Sequence, residues 1–150
     1  MSVALLLHLF GVVVWVGGMF FAYMALRPVA ATVLEPPQRL SLWAGVFAKF
    51  FPWVWLSIAL ILGSGLYMWM ALGGASAPLY VIVMMGLGIV MMLIFAHVFF
   101  AAFKKLKRAV AEQAWPAGGA ALGQIRMLIG INLSIGLITI GVAILGRALV

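Results

Sequence analysis

The chain has 150 residues, 68% of them hydrophobic and only 7% charged, where a soluble domain carries about 25% charge. It has no cysteine, which excludes disulfides, thiolate metal sites and a cysteine nucleophile. Its net charge of +7 comes from basic residues between long apolar runs, the pattern of membrane topology rather than of nucleic-acid binding.

Four uncharged runs, residues 3–26, 50–72, 77–103 and 127–146, each supply the roughly 20 apolar residues that cross about 30 Å of hydrocarbon. The spans are set at about 3–27, 50–72, 77–105 and 126–147 of one transmembrane domain, 1–150, with no room for a soluble one. The expected fold is all-α: a four-transmembrane-helix bundle with a short interfacial helix before span two. Span one has no basic region before it, is too long for a cleaved signal and is followed by Arg27, so it is expected to stay. Within it His8, Gly11, Trp15, Gly18 and Ala22 form one stripe at helical spacing, predicted to face the bundle interior.

In the first connection Glu35-Pro36-Pro37 stops a helix, because proline lacks an amide donor and clashes with the preceding turn. Leu40, Trp43, Val46, Phe47 and Phe50 then recur at helical spacing with Arg39 and Lys49 between them, which predicts the interfacial helix. Pro52 falls at its junction with span two, and Trp53 and Trp55 fit an aromatic belt. The second connection, residues 73–76, has no charge. Span three continues through Lys104, Lys105, Lys107 and Arg108 as a protruding helix whose cations hold anionic head groups. Residues 115–119 are expected to break it, and 120–126 to form an amphipathic lead into span four. Connections one and three hold eight of the nine basic residues, so the positive-inside bias puts both in the cytoplasm. The termini and the Gly-Gly turn then face the periplasm, for a cell inner membrane.

Polar groups in lipid are costly, so those inside spans are functional candidates. Neutral imidazole makes His8 and His97 candidate metal or haem ligands. His8 lies roughly 8 Å below the outer end of span one and His97 roughly 10 Å above the inner end of span three. The offset of about 12 Å places one ion or haem iron out of reach of both histidines of one subunit. Asn132 lies near the depth of His97, where a His97–Asn132 bond between helices would satisfy both. Near the depth of His8 are Met68, Met70, Met84 and Met85, thioethers that with imidazole form a soft donor set suited to Cu(I); core filling is the competing reading of these methionines. Glu35 and Glu112, the only acids, fall in connections, so the spans hold no carboxylate general base and the chain does not read as a hydrolase.

The stretch from His8 through Trp15 and Gly18 to Arg27-Pro28 resembles the first helix of the copper-resistance D (CopD) membrane family. Arg39-Leu40, Phe50-Phe51-Pro52-Trp53, His97 before a basic cluster, and Gln124-Ile125-Arg126 before an Asn-bearing span continue the pattern over nearly the whole chain. That resemblance implies copper uptake or homeostasis. The architecture is also similar to HemJ, a haem b membrane protein with protoporphyrinogen-oxidase activity, which has a first-helix His seven residues before a Trp. It departs where that family follows the span-four arginine with an Asn-Glu pair. In either resemblance His8 is the first ligand and His97 the second, with Trp15 and Asn132 beside the cofactor.

The resulting expectation is a copper-handling membrane protein, with a haem b protein and a cofactor-free accessory subunit as alternatives. The expected partners are the lipid bilayer, a periplasmic copper protein and further copies of the chain, with no nucleic acid. A reporter fused to the C-terminus should behave as periplasmic; cytoplasmic activity of that fusion would reverse the orientation.

Overall fold

The computed structural model describes residues 1–149. Four helices account for nearly all of them: α1 Ser2–Val33, α2 Pro36–Ala71, α3 Leu79–Ala111 and α4 Trp115–Ala148. No strand occurs among the described residues. At 32–36 residues each the helices are roughly 48–54 Å long at 1.5 Å per residue, well beyond a hydrocarbon core of about 30 Å. The surplus gathers at one end. There α1 runs past Arg27, α2 begins before Arg39, α3 continues through Lys104 and Arg108, and α4 starts before Arg126. This is the basic end; the termini and the α2–α3 turn lie at the other.

The stretch expected as an interfacial helix is helical, but it is not a separate element. It continues into span two as one helix through Pro52. Its apolar face does not lie on lipid, since Leu40, Trp43 and Phe47 are buried inside the protein. The reason is that α3 and α4 also extend past the membrane and cover that face: Leu40 packs against Gly118, which in turn abuts Ala109. The same layer holds the α3 extension. Leu106 and Ile125 are fully buried, while Lys104, Lys105 and Lys107 stay exposed. The chain breaks earlier than expected, at residues 112–114, where Gln113 takes a left-handed φ of 53°. Residues 115–119 open α4 instead, with Pro116 in the first turn, where its missing N–H leaves no hydrogen bond unmade.

A π-helical turn interrupts α1 at Ala22–Leu26. Pro28 follows, and a proline ring clashes with the carbonyl four residues back, which here is Met24 inside the widened turn. A second π-turn, Val98–Ala102, lies in α3 just before its basic segment.

Helices α1 and α2 run antiparallel in close contact, and α3 lies along α4. The two glycines of the α1 stripe make the first contact close: a Cβ on Gly11 would lie 2.8 Å from Ile61, and one on Gly18 2.3 Å from the Phe50 ring. As expected, the stripe faces inward, with Trp15 and Ala22 buried. The two pairs are joined mainly in the basic half, by an aromatic ladder. Trp43, Phe47, Phe51 and Trp55 recur every four residues on α2, and Phe95, Phe99 and Phe103 do so on α3. Phe51 stacks on Phe47 at 4.9 Å and meets Phe103 and Phe95 edge-on at 4.9 and 5.2 Å. Trp55 meets Phe95 at 5.1 Å and Phe99 at 5.4 Å, so it belongs to the ladder rather than to a membrane belt, whereas Trp53 is exposed.

Beyond the ladder the bundle loosens. No residue of α3 before Met91 or of α4 after Gly136 is buried among those described, and Leu79 and Ile144 are 75% and 68% exposed. Apolar side chains turned outward are what a lipid-facing surface requires, because lipid tails are as apolar as leucine.

Phe51→Ala should therefore lower stability by about 2 kcal/mol, less than the roughly 3–5 kcal/mol of a soluble core because the ring leaves lipid-like surroundings in both states. Phe20→Ala, on an exposed ring outside the ladder, should change little. Unfolding of both variants in mixed micelles compares them; equal losses would remove the ladder's special role.

Candidate functional site

His8 sits half-buried between α1 and α2, toward the end opposite the basic residues. Its position follows from the close packing of these helices. Gly11, one turn inward, abuts Ile61 and the Ser57 carbonyl. Gly65 leaves room for the imidazole, and a Cβ there would lie 3.3 Å from the His8 ring. The ring's Nδ1 is 3.0 Å from Ser64 Oγ. The Ser64 hydroxyl donates back to the Leu60 carbonyl of its own helix, so its oxygen can only accept from the histidine. His8 is thereby assigned as the Nδ1–H tautomer, and Nε2 carries the free lone pair. The ring also approaches the Ile61 backbone, and no side chain among the described residues bonds Nε2. An imidazole that donates through one nitrogen is oriented and made more basic at the other, the usual arrangement of a histidine metal ligand.

The other expected site residues divide by location. Met68 lies one turn beyond Ser64 on the same side of α2, four residues apart, and is half-buried. Met70 is 71% exposed and turned away from the bundle. Met84 and Met85 are half-buried on α3, where that helix leans on α4 with Tyr80 against Gly146, so they belong to the other helix pair.

Trp15 and Asn132 come together deeper in the bundle, on either side of the Met91–Phe95 turn of α3. Trp15 is buried and meets Phe95 edge-on at 6.1 Å. The Asn132 amide donates to the Met91 carbonyl at 3.2 Å, and Gly136, one turn on, packs on Met91 and Val16. The Asn132 Oδ1 is buried without a protein partner.

The expected His97–Asn132 bond is not made. His97 lies on the exposed side of α3, because the aromatic ladder fixes which face of this helix turns inward, and Phe95 and Phe99 occupy it. His97 falls level with residues 53–55 of α2, about ten residues from Ser64, or roughly 15 Å at 1.5 Å per residue. The two histidines therefore do not converge on one ion within the chain. Among the described residues no three of His, Cys, Asp or Glu cluster to hold a metal.

Ser64 was the partner that sequence reasoning did not connect to His8. The signal was present: Ser64 lies eight residues from the outer end of span two, roughly 12 Å deep, close to the depth of His8.

Four long apolar helices, with all but one of their basic residues at one end and one oriented imidazole between two of them, define a multi-pass membrane protein of the four-helix type. A family model described as Copper resistance protein D matches residues 44–145, and the chain belongs to that family. The match begins beyond the His8-to-Gly18 stretch, and it covers α3, most of α2 and nearly all of α4. No curated protein and no solved structure matches the chain.

Proposed function

We propose that the protein handles copper as cargo, taking up Cu(I) at His8 on the side of the membrane away from the basic residues. The single observation that carries this reading is the Ser64 hydrogen bond, which leaves the Nε2 lone pair of His8 free. Met68, one turn outward on the facing helix, supplies a thioether on the same side. Imidazole plus thioether is a soft pair that suits Cu(I). Two donors make an open site rather than a closed cage, which suits an ion that is accepted and passed on. The family supports copper; a bis-histidine haem b site needs convergent axial ligands, and His8 with His97 gives none within one chain. The positive-inside bias assigns the His8 end to the periplasm of an inner-membrane protein, where a periplasmic copper protein would deliver or receive the ion.

His8→Ala should abolish Cu(I) binding, measured by competition with a chromogenic chelator under reducing conditions. Ser64→Ala should keep the ligand but lose its orientation, weakening affinity about 10- to 100-fold. Met70→Leu should leave affinity unchanged. Unaltered copper affinity in His8→Ala would refute the site, and a Soret band in the purified protein would favour haem instead.

A further inference from the structure

The three arginines that flank the basic ends of α1, α2 and α4 line one cavity. It has a volume of about 260 Å³, and Arg27, Arg39 and Arg126 share its wall with Tyr23, Trp43 and Trp115. Three cations around one space repel each other unless an anion joins them. The protein provides none: the only salt bridge among the described residues is Arg108–Glu112, on the surface, and neither acid lines the cavity.

Two of the arginines are held in place by backbone. Arg27 Nε donates to the Tyr23 carbonyl at 3.1 Å, and its guanidinium stacks over the Tyr23 ring at 4.1 Å. Arg39 Nη1 donates to the Ala31 carbonyl near the end of α1 at 3.3 Å. Each guanidinium has five N–H donors, so most remain free. Arg126 makes no hydrogen bond to the protein among the described residues.

The cavity itself is built into the fold. Its α1 wall, Ala22 and Tyr23, belongs to the π-turn, a distortion found mostly at functional sites. Its α4 wall includes Gly119 and Gly123, and a Cβ at either would meet open space. The first turns of α2 and α4 also border it, through Pro36 and Trp115, adding the positive ends of two helix dipoles.

We propose that this cavity binds a phosphate group. Guanidinium forks match phosphate oxygens in pairs, and the level of the cavity, where α1 leaves its apolar run at Arg27, is the level of lipid head groups. The aromatic walls accept the apolar part of an ester. The volume is below that of a drug-sized pocket, about 300–1,000 Å³, and fits a head group or a small phosphoester. The site is independent of copper at His8, which lies at the other end of the bundle.

The test is thermal unfolding of the purified full-length protein with three probes: inorganic phosphate, glycerol 3-phosphate, and phosphatidylglycerol in mixed micelles. Acetate at matched ionic strength is the control. A ligand that binds only the folded state raises the midpoint saturably. At least one phosphate probe should do so beyond acetate. Saturation by free phosphate or glycerol phosphate identifies a soluble ligand, and saturation by the lipid alone identifies a head group. Arg126→Gln should raise the half-saturating concentration about tenfold, the weight of one charge-assisted hydrogen bond. Arg126→Lys, which keeps the charge, serves in its place should that variant fail to fold, and should weaken binding less. Arg147→Gln, at the opposite end of the bundle and outside the cavity, should bind as the parent does. No phosphate probe exceeding acetate, or equal weakening in Arg147→Gln, would overturn the proposal.

Discussion

The aromatic ladder between α2 and α3 is the interaction on which the other arrangements depend. In lipid the hydrophobic effect does not drive helices together, so close packing and interhelical hydrogen bonds must do it. Rings spaced every four residues on both helices provide that packing, and each well-placed pair adds roughly 0.5–1.5 kcal/mol. With Phe51 wedged between Phe47, Phe95 and Phe103, the rotation of both helices is fixed. That rotation turns His97 outward and brings the Met91–Phe95 turn against Trp15 and Asn132. It also draws the basic-end extensions of α2 and α3 together, so that α4 closes over them and the arginine-lined cavity forms beside α1.

The bundle is accordingly uneven. Its basic half is a packed core in which Leu106 and Ile125 are fully buried. Its other half is two helix pairs with lipid-facing sides and few shared contacts. The two candidate sites sit in these two regimes. The imidazole of His8 is placed by glycines and one hydroxyl in the looser half, where an ion can arrive and leave. The arginines are placed by the packed half, where backbone carbonyls hold Arg27 and Arg39.

Apart from the Trp69 indole N–H, which is buried without an acceptor among the described residues, polar donors inside the bundle find acceptors. His8 donates to Ser64, Ser64 to Leu60 and Asn132 to Met91. Two of these three bonds end on backbone carbonyls within or between helices. That explains why pairing polar side chains with each other by depth gave one wrong pair: a carbonyl already used once can accept again through its second lone pair, and every turn of every helix offers one.

The sequence by itself determined the spans, their number, the basic end and the inward stripe of α1. These are matters of composition and of 3.6-residue periodicity, which lipid enforces on each helix separately. His8, Trp15 and Gly18 were legible for that reason, and so was the separation of His8 from His97 in depth. Other features needed neighbours. The amphipathic stretch at Leu40, Trp43 and Phe47 has the same pattern whether its apolar face meets lipid or protein, and only the extensions of α3 and α4 decided for protein. Pro116, Gly118 and Gly119 look like breakers until their positions in the first turn and against Leu40 are seen. The partners of His8 and Asn132, and the meeting of Arg27, Arg39 and Arg126 around one cavity, depend on how each helix is rotated about its own axis. Depth is written in the count of residues along a span; rotation is set by packing between spans, and tertiary structure alone decides it.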